Sequence, residues 1–142
     1  MPHYHEKRIL PYTPSQLYDI VADVEKYQEF LPWCVGTRIN WRKADSFNAD
    51  VLIGYQAIRE TFTSTVTLTP NEAVEVRYEH GPFSKLKNYW TFAEHKDGCE
   101  VEFFIDFEFR AGLLNAIISS FFEEAVKRMI GAFEKRAEAI YS

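Results

Sequence analysis

The sequence predicts an α+β fold: a curved antiparallel sheet of about seven strands, in the order β-α-α-β6-α, wrapped around a long C-terminal helix. Three observations carry this. From Cys34 to Phe109 the apolar residues recur with period two, broken by short turn-forming segments. From Gly112 to Ser142 there is no proline, and apolar pairs return every four residues. Near the start, Thr13-Pro14-Ser15-Gln16 carries the chemistry of a helix N-terminus. The 142 residues are about the size of one domain, and no repeat, low-complexity tract or linker interrupts them. One domain spanning residues 1–142 is therefore expected.

In chain order, His3 to Leu10 reads as a first strand. Thr13 can then cap a helix whose apolar positions are Leu17, Ile20, Val21 and Val24. Pro14 suits the first helical position, where its missing N–H costs nothing, and Gln16 completes a capping box. A second short helix, about Glu25 to Phe30, must end before Leu31-Pro32, because a residue preceding proline leaves the helical region. Strands follow at about Cys34–Lys43, Asn48–Ala57, Glu60–Thr69, Ala73–His80, Lys85–Glu94 and Cys99–Phe109. The breaks Ala44-Asp45-Ser46, Pro70-Asn71, Gly81-Pro82 and Lys96-Asp97-Gly98 are short, so neighbouring strands pair antiparallel as a meander.

The last strand alternates most cleanly: Val101, Phe103, Ile105, Phe107 and Phe109 on one face, Glu100, Glu102, Asp106 and Glu108 on the other. Leu86, Asn88, Trp90 and Phe92 share a face, as do Phe62, Ser64, Val66 and Leu68, which back a row of threonines from Thr61 to Thr69. A sheet with one covered side is written this way. The helix from Gly112 supplies the cover, with Glu123, Glu124, Lys127, Arg128, Lys135 and Glu138 on its outer side. A curved sheet does not collapse flat onto one helix, and the space left between them is where a ligand would sit.

Composition narrows the function. Apolar residues make up 46% and charged residues 26%, which is ordinary globular usage. Three Trp, eight Tyr and twelve Phe give enough apolar surface for a core and a cavity wall. Sixteen basic against 21 acidic residues, a net charge of -5, disfavours phosphate neutralisation, so no direct DNA binding is expected. Charge alone would not hold the chain on anionic lipid either. Cys34 and Cys99 are too few and too far apart for a disulfide framework, and no apolar run of about 18 residues could span a bilayer. Met1-Pro-His-Tyr-His has no signal-peptide or transit-peptide character, so a cytoplasmic protein is expected.

The segment Ile20-Val-Ala-Asp-Val-Glu-Lys-Tyr-Gln-Glu-Phe-Leu-Pro-Trp-Cys34 resembles the coenzyme Q-binding proteins of the START-like superfamily of polyketide cyclases, dehydrases and lipid-transport proteins. Gly81-Pro-Phe-Ser-Lys-Leu-Lys-Asn-Tyr-Trp-Thr-Phe92 and Cys99-Glu-Val-Glu-Phe-Phe-Ile-Asp-Phe-Glu-Phe109, followed by Leu113-Leu114, carry the same resemblance. It covers residues 2 to about 140 and implies a helix-grip fold that binds ubiquinone, as a ligand and not a catalytic cofactor, in support of respiration. Ribosome association toxins resemble this chain in the same way and imply a ribosome as the alternative partner. An aromatase or cyclase of the same fold is a third reading. Beside the cytoplasmic location, the periphery of a bacterial inner membrane or, with a presequence removed, a mitochondrion is the further expectation.

On the ubiquinone reading, Trp33, Phe62, Val66, Tyr78, Trp90, Phe103, Phe107, Phe121 and Met129 wall a tunnel for the prenyl tail. Ser64 and Asn88, the polar members of the inward faces, orient the head, because a buried carbonyl left unpaired is costly. Phe83, beside Gly81-Pro82, and Leu113 and Leu114 are expected at a greasy rim that touches a bilayer while ligand passes. Taken singly, each aromatic residue reads as ordinary core packing. The carboxylates lie mostly on the wet faces, a structural salt bridge is expected for Arg59 and Glu60, and no nucleophile triad or phosphate loop appears. The expectation is therefore a protein that is not an enzyme. His3 and His5 share a strand face, but His80, His95, Cys34 and Cys99 lack metal-ligand spacing, so no metal site is expected. Cys34 is expected as a buried thiol. A ribosome-binding role predicts an exposed basic patch of Arg38, Arg42, Lys43, Lys85 and Lys87.

Overall fold

The computed structural model describes residues 3–55, 58–110, 112 and 122–141. Seven strands, β1 (His3–Leu10), β2 (Cys34–Arg42), β3 (Ser46–Tyr55), β4 (Ile58–Thr69), β5 (Ala73–His80), β6 (Phe83–His95) and β7 (Gly98–Phe109), form one antiparallel sheet. Its order is β1-β7-β6-β5-β4-β3-β2, a meander whose first strand closes onto the last. Helices α1 (Pro14–Ala22), α2 (Tyr27–Phe30) and α3 (Phe122–Tyr141) lie on the concave side, completing the expected helix grip. The sheet's curvature has local causes. Register shifts leave an extra residue on β2 between Cys34 and Gly36 and between Ile39 and Trp41, on β5 between Tyr78 and His80, and on β6 between Phe83 and Lys85. Each such irregularity bends its strand and adds twist.

The capping box forms as expected: Thr13 Oγ1 accepts from the Gln16 backbone N–H at 3.1 Å, and Gln16 Oε1 accepts from the Thr13 N–H at 3.0 Å. The expected second helix is shorter and split. Val24–Lys26 forms a 3₁₀ turn closed by Lys26 N–H to the Asp23 carbonyl, and α2 is a single turn closed by Leu31 N–H to the Tyr27 carbonyl. Strands β3, β4 and β6 begin about two residues earlier than turn chemistry suggested, because hairpin pairing continues through Ser46, Ile58 and Phe83. At the β6–β7 turn, Gly98 has φ +138°, and a Cβ there would come within 2.0 Å of the Leu10 carbonyl oxygen. Only glycine lets β1 lie so close to that turn.

Phe133 of α3 joins the helices to the sheet. Its ring packs edge-on against Trp90 at 4.9 Å, Phe30 at 5.3 Å and Tyr27 at 5.5 Å. Further along α3, Phe122 packs on Phe107 at 5.0 Å, and Tyr141 Oη donates to the Gln16 carbonyl. Ion pairs from Arg136 to Glu29 and from Arg8 to Glu134 hold the same helix to α2 and to the sheet edge.

The convex face is less wet than alternation implied. Thr63 and Thr65 are buried there beneath a polar network. Asp50 accepts from Thr63 Oγ1 at 2.6 Å and from Asn40 Nδ2 at 3.0 Å, while Asn48 Nδ2 donates to Thr65 Oγ1 at 3.1 Å. The Thr63 hydroxyl, followed by the Asn40 amide, holds the Asp50 carboxyl below the usual aspartate range. A carboxyl depressed in the folded state adds stability above its unfolded value of about 4 and loses it as pH falls through the folded value. Asp50→Asn should therefore lower the melting temperature at pH 7, with the gap closing toward pH 2–3. Thermal unfolding of both proteins across that range measures it.

Candidate functional site

Between the concave sheet face and α3 lies a cavity of about 280 Å³. Its floor follows from the register. One row runs Phe47, Val66, Val76, Asn88, Ile105 across β3 to β7. A deeper row runs Val74, Trp90, Phe103, and the opposite end carries Phe62 with Val51, then Glu60 with Ile53. Val21, Val24 and Tyr27 form one side, and Ala125, Val126, Met129 and Phe133 of α3 form the roof. Glu60 lies six residues along β4 from Val66, so the floor is about 20 Å long.

Of the residues expected in the wall, Trp33, Phe62, Ser64, Val66, Asn88, Trp90, Phe103, Phe107 and Met129 line this cavity. Tyr78 is not among the lining residues. Its hydroxyl donates to the Phe83 carbonyl and accepts from the Phe83 N–H, both at 3.0 Å, which turns the ring onto the β5–β6 corner. That bracket corrects the expectation of an exposed Phe83 at the rim. Phe83 is 4% exposed and joins the wall, packed on Phe109 at 4.8 Å and on Phe62 and Phe107 at 5.4 Å. Gly81 beside it has φ +148°, and a Cβ would meet Phe62 Cβ at 2.7 Å, so the corner and the wall are fitted to each other. Leu113, Leu114 and Phe121 lie outside the described residues.

The wall also holds residues that sequence reasoning missed: Tyr27, Cys34, Phe47, Val51, Glu60 and Leu86 among them. Glu60 corrects the expected salt bridge, since its carboxylate makes no ion pair or hydrogen bond with a described residue and the residue lines the cavity instead. It has the parity of Phe62 and Ser64, a signal obscured only by doubt over where the strand began. Trp33 stands at the α2–β2 corner with φ 67°, a left-handed conformation that is strained for a bulky side chain. Its carbonyl accepts from the Gly54 N–H at 2.9 Å, which fixes the corner to β3.

The polar groups are few and distinct. Ser64 is 3% exposed and its hydroxyl bonds to no described residue. Asn88 donates through Nδ2 to the Phe104 carbonyl at 2.8 Å. The hydroxyl of the part-buried Tyr27 donates to the Val21 carbonyl, and desolvation raises its pKa so far that it stays a phenol. Burial likewise pushes up the Cys34 thiol, leaving it protonated at neutral pH and a poor nucleophile. No Lys, Arg or His is among the described residues lining the cavity. The arrangement can hold an apolar ligand and meet it with one hydroxyl, one carboxamide and one carboxylate.

The basic residues do not form one patch. Arg42 pairs with Glu25 and Lys85 with Asp106, both at 3.2 Å, and Lys43 lies over the Trp41 ring at 5.0 Å. Strands β2 and β6 are separated by three others, so their side chains are about 19 Å apart across the sheet. None of the described helices is long and apolar enough to cross a membrane.

A family model described as polyketide cyclase / dehydrase and lipid transport matches residues 10–134. The chain is 36% identical over 144 residues to the ribosome association toxin RatA of Rickettsia prowazekii, covering 99% of both chains. It is 34% identical over 143 residues to the mitochondrial coenzyme Q-binding protein COQ10 homolog B of Xenopus laevis, covering 97% of this chain and 59% of that protein. The crystal structure of the Zhui aromatase/cyclase from a Streptomyces species superposes with a TM-score of 0.82 at 16% identity, over 96% of this chain and 93% of that one, a likeness of fold. The concave sheet, the gripped helix and these matches agree: the chain belongs to the polyketide cyclase / dehydrase and lipid transport family.

Proposed function

We propose that this protein binds and carries ubiquinone or a similar prenylated lipid without transforming it. The observation that supports the reading most is the cavity wall. A hollow of about 280 Å³, near the lower end of the range for small-molecule pockets, is almost wholly apolar and has a long floor. Such a wall suits an isoprenoid chain and gives an anionic metabolite no counter-ion among the described residues. Catalysis would require a positioned acid–base pair, whereas the described wall offers one carboxylate, a protonated thiol and no imidazole or amine. The similarity to a coenzyme Q-binding protein supports the same ligand class. Loading and unloading such a lipid entails transient contact with a membrane.

Organic extraction of the purified protein followed by mass spectrometry should recover a prenylquinone, and added short-tailed ubiquinone should quench the fluorescence of Trp33 and Trp90. Empty extracts together with unchanged fluorescence would refute the proposal. The full-length similarity to ribosome association toxins supports a second reading, ribosome binding that blocks subunit association. Sucrose-gradient profiles after overexpression separate the two, since a carrier leaves subunit joining unchanged.

A further inference from the structure

We infer that Glu60 makes the cavity select the reduced, hydroxyl-bearing head of a prenylated ring, a quinol or phenol, over the corresponding quinone. The inference rests on the prenyl-lipid reading above and specifies which form of the head is held. Glu60 is half-buried at one end of the cavity floor, opposite Ile53 and two residues from Phe62. An ionised carboxylate only accepts hydrogen bonds. Here it has no bond to any described residue, and no cation is among the described residues lining the cavity.

A ligand entering such a space must satisfy that carboxylate or leave it desolvated and unpaired, at a cost. A quinone ring presents only acceptor oxygens, so its carbonyl beside Glu60 sets acceptor against acceptor. A quinol or phenol presents O–H donors, and a hydrogen bond from O–H to a carboxylate is about twice as strong as a neutral one. With the hydroxylated head at Glu60, the tail runs along the floor past Phe62 and Val66 toward Trp90 and Phe133. A quinone would instead seat its ring near the Ser64 hydroxyl, roughly 13 Å along β4 from the carboxylate, with less floor left for its tail. Discrimination therefore comes from a repulsive contact as well as an attractive one.

The test is anaerobic calorimetric titration of the full chain with a ubiquinone carrying two isoprene units, and with the same compound chemically reduced. The quinol should bind about tenfold more tightly. Glu60→Gln, which keeps the size but also offers an N–H donor, should bring the two affinities within about threefold. Thermal unfolding verifies that the variant folds. Equal affinities in the natural protein, or a preference that survives in the variant, overturn the assignment of Glu60 while leaving the carrier reading standing. Failure of both forms to bind overturns the carrier reading and this inference with it.

Discussion

Replacing Phe133 by alanine should lower stability by about 3–5 kcal/mol, a fall in melting temperature on the order of 10 °C. Phe133 is 7% exposed and is the side chain on which α3, α2 and the sheet converge, through Tyr27, Phe30 and Trp90. Removing the ring leaves a void that continues the ligand cavity, so neighbouring side chains have little reason to collapse into it. The destabilisation then includes both the lost burial and the lost edge-to-face contacts. A Trp90→Ala, Phe133→Ala double-mutant cycle should give a coupling of about 0.5–1.5 kcal/mol. By contrast, Arg128→Ala removes an exposed pair with Glu124 at 3.4 Å and should cost no more than about 0.5 kcal/mol. Chemical denaturation of the four variants measures these effects, and near-equal costs for Phe133 and Arg128 would mean that α3 is not held by this contact.

The elements legible in the sequence were those whose cause is local. The Thr13–Gln16 capping box is closed by two hydrogen bonds within four residues, and β7 alternates because every second side chain meets the same core. What was not legible depends on partners distant in sequence. Phe83 reads as an exposed corner until the Tyr78 hydroxyl is seen to bracket its backbone from the preceding strand. Thr63 and Thr65 read as a wet row, yet Asp50 and Asn48 of β3 cover them. Arg8 and Glu6 occupy the helix-facing side of an edge strand, where alternation alone expects apolar residues, because Glu134 of α3 arrives there to pair with Arg8. The site follows the same division. Wall residues with the parity of a long strand were identified, whereas Glu60, at a strand end beside a hairpin, was assigned to a salt bridge that it does not make with any described residue. The basic residues show the converse error, since proximity of Arg38, Arg42 and Lys43 in sequence says nothing of the three strands that separate them from Lys85 and Lys87.

Val76→Phe should do the opposite of Phe133→Ala: leave stability within about 1 kcal/mol while weakening binding of a short-tailed ubiquinone by about 100-fold, equivalent to some 2.7 kcal/mol. Val76 lies in the middle of the floor, paired with Val66 on one side and Asn88 on the other, and its side chain borders the cavity. Adding a ring to a filled core forces neighbours off their rotamers and costs about 1–3 kcal/mol. Adding one beside a hollow of about 280 Å³ lets the ring occupy space that no protein atom uses, and the extra buried apolar surface offsets the ordering of the side chain. The ring then stands where the ligand's tail must pass. Thermal unfolding and calorimetric titration on the same sample read the two quantities independently. A loss of 2–3 kcal/mol in stability would mean that the floor is already packed by its own side chains. Unchanged stability with unchanged affinity would mean that the ligand lies elsewhere.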